Sequence, residues 1–468
     1  MNFHLRYAKA EVVDICLIGV GGFGRSLIAQ SDFIPLLTSR VLIDLDAEAV
    51  VATLKSLGKP ESSYLVCKSP GDARDAWTAG KTVVTDDFAH VVDLPFSVLV
   101  EATGHPEAGA RHARMGVEAG KHVVLVSKEV DSVIGAGLVR SAQENGVVVT
   151  PVDGDQPSLL IGLITWAEVL GLEIISAGKS SEYDFVFDEA SGTLTCNGVS
   201  VAMPEMAGLM DVGDRSMPEL AAQRSKAAAG VNQRAVPDLC EMSIVANSTG
   251  MGFDRPDLHA PIARIPEVPA MFETRENGGL FGKAGVLDVF HCLRRPEEVS
   301  LAGGVFVVVR CDDADTWKML EEKGHIVNAS GSAAMLAVPR HLLGLEATTT
   351  ILDAAVLGET NGGACPAQNA ELVAYAAADL SAGHVLSMGG HHHTIANVEA
   401  RILPGGPLDD ASPAPFYLAA NKALKRAVSA GSFIRLGDLE IGSDSELWAL
   451  RQTQDQTLFA DRFDGAAS

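Results

Sequence analysis

Apolar residues in the first 150 positions fall into short continuous runs separated by stretches with helical spacing. Ile15 to Ile18, Val41 to Asp46, Ser97 to Gly104, Lys121 to Lys128 and Asn145 to Pro151 each read as a strand buried on both faces, the pattern of a parallel sheet. Between them, Arg25 to Gln30 follows a helical period. Ala110, Ala113 and Val117 share one face of a helix opened by His105-Pro106. Strand and helix in alternation predict an α/β domain over residues 1–152. The polar stretch from Leu54 to Asp87, with Pro60, Pro70 and Gly71, reads as an irregular insertion on its rim.

The pattern then changes. Leu159 to Ile175 is apolar but interrupted by Glu168 and Glu173 and punctuated by Gly162 and Gly171, so it predicts a core helix running into a strand and not a membrane span. Leu172 to Asp184 continues as strand, Met206 to Gly230 as Ala-rich helices serving core or dimer contact, and Val305 to Arg310 as strand. Ala370 to Leu380 reads as a helix that could pack back on the first domain. Beyond it, Leu403-Pro-Gly-Gly-Pro407 and the turn-rich run to Asp438 predict short strands. The fold class is therefore α/β: a Rossmann-type parallel sheet domain (1–152), an α+β catalytic and oligomerisation domain (153–380), and a small β-rich module (381–468).

The loop between the first strand and helix carries Gly19, Gly21, Gly22, Phe23 and Gly24. In this setting Gly19 permits a tight turn, Gly21 lets backbone approach a pyrophosphate, and Gly24 allows close helix–strand packing. The helix N-terminus adds free N–H groups for the phosphates. Asp44, about 20 residues past the glycines, stands where an acid binds the adenosine ribose, with Asp46 as competitor; such an acid favours NAD over NADP. Thr103 and Gly104 form a small-residue turn at another strand end, and Lys128 ends the next strand, on the edge where such sheets bind ligands.

Composition narrows the partners. Across 468 residues the formal net charge is −24, which excludes a non-specific nucleic-acid or anionic-membrane partner and requires local Arg and Lys for an anionic substrate. Seven dispersed cysteines without a Cys-x-x-Cys pair predict reduced thiols in a cytoplasmic protein. Lys179, Glu182 and Asp184, delivered together after a strong strand, form a candidate acid–base cluster; a surface salt-bridge group is the competing reading. Asp153 and Asp155 lie in a polar turn that could assist or ligate a divalent cation. Arg234, Arg255 and Lys283 border Gly-rich loops able to hold a phosphate, or ordinary turns. Consecutive His391, His392 and His393 diverge on any regular backbone, so at most two could share one metal ion.

The Gly19-x-Gly21-x-x-Gly24 loop, the Glu101-Ala-Thr-Gly104 turn and the Val126-Ser-Lys128 strand end together resemble the cofactor domain of homoserine dehydrogenases. Asp153-Gly-Asp-Gln-Pro-Ser158 and Gly178-Lys-Ser-Ser-Glu-Tyr-Asp184 resemble a divergent branch, the deoxyxylulose phosphate reductoisomerase-like enzymes, and Lys422 to Asp438 is similar to a SAF-type module. The resemblance implies NADPH as cofactor, against what Asp44 favours, so NAD stays open. It also implies reduction and rearrangement of 1-deoxy-D-xylulose 5-phosphate to 2-C-methyl-D-erythritol 4-phosphate. Lys128 would then stabilise charge beside the nicotinamide, Lys179, Glu182 and Asp184 would handle protons, and a divalent metal could take part. A homo-oligomer is expected. The alternatives are a homoserine dehydrogenase-like enzyme acting on a small hydroxy or aldehyde compound, and a dinucleotide-sensing regulator without turnover.

Overall fold

The computed structural model describes residues 3–390 and 393–460. Two compact units divide the chain. Met1–Ser158, Leu342–Glu399 and Gly405–Ser468 make the first, and Leu159–His341 with Ala400–Pro404 the second. Residues 342–380, read from sequence as part of the middle domain, thus cluster with the first unit, as does most of the C-terminal module.

The first unit holds β1 (Val13–Ile18), β2 (Leu37–Ile43), β3 (Tyr64–Val66), β4 (Thr82–Thr85), β5 (Val98–Glu101), β6 (His122–Leu125) and β7 (Val149–Pro151). They form one parallel sheet in the order β3-β4-β2-β1-β5-β6-β7. Neighbours on both edges of β1 and burial on both faces account for the apolar run Ile15 to Ile18; Ile15, Cys16 and Leu17 are fully buried. Leaving β1 for β2 on one side and β5 on the other makes the carboxyl end of β1 the switch point where such sheets bind ligands.

Residues 54–87 are regular, contrary to expectation. Ser69 caps the helix Pro70–Thr78, whose first residue is proline, and β3 and β4 extend the sheet. The prolines there open helical turns instead of breaking structure. A second correction concerns Ala370 to Leu380: Ala370–Ala376 is a strand, buried at all but one position. Alanine's helix preference is a weak prior, and burial on both faces overrides it. That strand belongs to a small four-stranded sheet, in which Met388 faces Ile395 and Ile395 faces Val398 in antiparallel register. The C-terminal run also carries a helix, Glu446–Leu458, which the turn-rich reading did not foresee.

The second unit is a mixed nine-stranded sheet of β8 (Ile174–Ser180), β9 (Phe185–Asp188), β10 (Thr193–Cys196), β11 (Val199–Ala202), β12 (Ile262–Ala263), β13 (Val286–Arg294), β14 (Val305–Arg310), β15 (Ile326–Val327) and β16 (Ala333–Val338). Its core packs aromatic rings edge to face, with Phe272 and Phe306 centroids 4.9 Å apart. On β8, Lys179 lies opposite Val289 of β13 and Val305 of β14, placing a lysine in the middle of the sheet. Among the described residues no helix is long and apolar enough to cross a membrane.

Candidate functional site

The glycine loop has the geometry its sequence requires. Gly19 sits at φ 94, and a Cβ there would come within 2.4 Å of the Ala102 carbonyl. A Cβ on Gly24 would come within 2.2 Å of the Gly19 carbonyl, so the helix Gly22–Ser31 lies as close to the strand end as backbone permits. Gly21 and Gly22 differ: both are exposed, and a Cβ on either would meet nothing within 4 Å. No side chain caps this helix, so its first N–H groups are available to an anion. Phe23 is half-buried against the core. Open space at Gly21 and Gly22 beside an uncapped helix start fits a dinucleotide pyrophosphate.

Asp44 follows directly on β2, and its Oδ2 accepts from the Val20 N–H at 2.9 Å, fixing the carboxylate beside the loop. Its competitor Asp46 instead caps the helix Ala47–Ser56. At the end of β5, Thr103 Oγ1 donates to the buried Glu101 at 2.6 Å, and the Gly104 N–H donates to Ser127 Oγ at 2.8 Å. Lys128 is the first residue of the helix Lys128–Glu144, not the last of a strand, and its Nζ lies 3.2 Å from Asp155 Oδ2. Asp153 serves the turn: its carboxylate accepts from Ser158 Oγ at 2.5 Å and Thr349 Oγ1 at 2.7 Å.

In the second unit the expected trio is regrouped. Lys179 is 1% exposed and forms ion pairs with Asp238 and Glu241, the former at 2.9 Å. Asp238 Oδ2 also accepts from Ser181 Oγ at 2.7 Å. His291 is buried, stacks on Phe185 at 4.8 Å, and feels the Asp238 charge; burial is the larger influence and holds its pKa below the ordinary imidazole value. Asp184, by contrast, accepts from Arg294 Nε at 2.6 Å, and Glu182 is exposed. Strand alternation and the turn after Ser180 separate what sequence proximity had put together. One buried ammonium against two carboxylates and a buried imidazole is a group able to hold and pass a proton.

The sequence reading missed Asp238, Glu241, Ser181 and His291. A signal was there for the first two: acids three residues apart in Val236–Thr249, an otherwise mostly apolar run, share one helix face. That helix runs on through Asn247 to Thr249 and ends at Gly250.

Two of the three expected phosphate residues meet. Arg255 grips Asp257 through two bonds of 2.7 and 2.8 Å, and Arg234 Nη2 lies 4.0 Å from the same carboxylate while donating to the Leu258 and His259 carbonyls. Arg401 is close enough for its charge to act on Arg234, whose pKa burial lowers. Lys283 stands elsewhere, exposed beside Gly252. Among the described residues no group of three or more His, Cys, Asp or Glu is placed to hold a metal ion. His391 and His392 lie outside the described residues.

The model of a family described as "Oxidoreductase DRL, catalytic domain" matches residues 235–347. No curated protein matches the chain. Among solved structures, a DOX-P reductoisomerase with fosmidomycin and magnesium is 15% identical over 36% of this chain and 46% of its own, with a TM-score of 0.27. An oxidoreductase from Agrobacterium radiobacter in complex with NAD+, L-tartaric acid and magnesium is 14% identical over 38% of this chain and 46% of its own, TM-score 0.27. An oxidoreductase from Bacillus cereus is 12% identical over 74% and 90%, TM-score 0.34. The chain spans about half the length of the first two. The glycine loop at the end of a Rossmann-type sheet thus has the geometry of a dinucleotide site, and residues 235–347 match the model of an oxidoreductase catalytic domain.

Proposed function

We propose that the chain reduces a small phosphorylated carbonyl compound, with conversion of 1-deoxy-D-xylulose 5-phosphate to 2-C-methyl-D-erythritol 4-phosphate as the leading reaction. The observation that carries this reading is the buried Lys179–Asp238–Glu241 cluster, whose two acids fall within the segment matched to the DRL oxidoreductase catalytic domain. A bound dinucleotide supplies the hydride. The chain's own residues supply the rest: Lys179 donates a hydrogen bond to a substrate oxygen, and Asp238 or Glu241 takes up and returns the proton that a skeletal rearrangement displaces. Arg234 and Arg255, both beside Asp257, with Arg401 near enough for its charge to act on Arg234, support recognition of a phosphate by planar guanidinium donors. Asp44, held at the glycine loop, supports NADH over NADPH, since a 2′-phosphate would meet its charge.

The test is oxidation of NADH and NADPH over a panel of phosphorylated ketoses and aldehydes, with and without a divalent cation, with the carbon skeleton of each product determined. A rearranged skeleton from deoxyxylulose phosphate supports the reading. Turnover with every skeleton unchanged replaces it with a plain dehydrogenase. Tight dinucleotide binding without turnover on any compound would leave a sensor.

A further inference from the structure

His393 reaches the dinucleotide-binding unit from the far end of the sequence. It lies in the turn between Met388–Gly389 and Thr394–Ile395, at φ 47, a left-handed conformation that costs a residue with a Cβ. Its imidazole is laid against Gly104 so closely that a Cβ on that glycine would fall 2.2 Å from the ring's Cε1. Nδ1 lies 2.5 Å from Oε1 of Glu129, a residue 6% exposed in the helix that begins at Lys128. With Nδ1 engaged by the Glu129 carboxylate, Nε2 is a donor whenever the ring is protonated, on a side chain that is 34% exposed, and no hydrogen bond within the described residues takes it up.

The sheet order tells which half of a dinucleotide would lie there. Asp44 follows β2 on one side of the glycine loop, while Gly104 and Ser127 follow β5 and β6 on the other. An adenosine ribose on the Asp44 side puts the nicotinamide half on the Gly104 side.

We propose that His393 is a cofactor-positioning residue, its protonated ring donating from Nε2 to an oxygen of the nicotinamide half while the Glu129 carboxylate accepts from Nδ1 and holds the ring in place. This rests on the reading that the Gly19–Gly24 loop binds a dinucleotide. It assigns to the C-terminal segment a part of the cofactor site that the glycine fingerprint does not contain.

The test compares wild type, His393→Ala, His393→Gln and Glu129→Gln by calorimetric titration with NADH, NADPH and ADP. Loss of one hydrogen bond at the nicotinamide half predicts a dinucleotide Kd raised about tenfold in His393→Ala, with ADP binding unchanged. His393→Gln, which retains an N–H donor, should recover part of the loss, and Glu129→Gln should fall between. Equal dinucleotide Kd in His393→Ala and wild type overturns the inference, and so does equal weakening of ADP and dinucleotide. Wild-type protein that binds neither dinucleotide overturns the dinucleotide reading itself and takes this inference with it.

Discussion

At the end of β1 the chain strips side chains away, whereas on β8 and the helix Val236–Thr249 it concentrates charged ones. Gly21 and Gly22 face open space, and the binding groups there are backbone N–H donors in fixed positions. Lys179, Asp238 and Glu241 are all within 3% of full burial, and their groups are ions. Backbone donors at an exposed turn stay hydrated in the folded chain, carry no buried charge, and are able to take up a pyrophosphate. Buried ions cost several kcal/mol each to desolvate and survive only through one another. The first arrangement suits holding a cofactor; the second stores charge where a reaction could use it.

The largest effect that could break this contrast is removal of the lysine. Lys179→Ala leaves two carboxylates buried without their cation, at a cost of about 3–5 kcal/mol. Urea unfolding should show that loss, and turnover of the protein still folded should drop by about a hundredfold or more if the cluster handles protons. A destabilised protein with an unchanged rate would make the cluster a structural tie only. Asp184→Asn serves as contrast: its partner is Arg294, so it should leave turnover near the wild-type value.

Next in size is the loop. Gly24→Ala drives a methyl into the Gly19 carbonyl, and the helix must move away from the strand; overpacking of this kind costs about 1–3 kcal/mol. Dinucleotide binding should fall with it. Gly22→Ala separates the two effects, because its methyl meets no protein atom. Stability should hold or rise slightly, as alanine is the better helix former, while a pyrophosphate passing over that position would be repelled. Unchanged dinucleotide affinity in Gly22→Ala would remove the loop from the binding surface.

The same contrast explains what could be read from the sequence. The glycine loop is a local device, with strand, turn and helix start within a dozen residues, and the tight turn at Gly19 and the close helix–strand approach at Gly24 appear in the structure as expected. The buried ion cluster draws on Lys179 and Ser181 from one strand region, Asp238 and Glu241 from a helix, and His291 from another strand. Only Lys179 stood out, and its neighbours in sequence were mistaken for its neighbours in space. Ala370–Ala376 misled for a related reason: its strand state is set by what covers it, not by its own residues.

Asp44→Ala sharpens the cofactor side. The carboxylate that accepts from Val20 would be lost, so if Asp44 reads the adenosine ribose NADH binding should weaken about tenfold while NADPH, freed from like-charge repulsion, weakens less or improves. Kd values for both nucleotides check this; an unchanged NADH-to-NADPH ratio would show that Asp44 does not read the ribose.

The smallest expected effect is a pH dependence at His393. Its pKa is raised above the ordinary 6.5, chiefly by the side-chain hydrogen bond to Glu129, with burial and nearby Lys128 pulling the other way. A group whose folded pKa exceeds its unfolded one contributes its full stabilisation below the unfolded value and loses it as pH rises through the folded value. The pair's contribution should therefore be complete below about pH 6.5 and fade above it. Glu129→Gln removes the anchoring charge, so the gap in urea midpoint between it and wild type should be widest in mild acid and close as the solution becomes alkaline. Because the imidazole is a third exposed, solvent screens the pair and the gap should be small next to that of Lys179→Ala. A gap that widens with rising pH would mean that Glu129 is held by something other than a protonated His393.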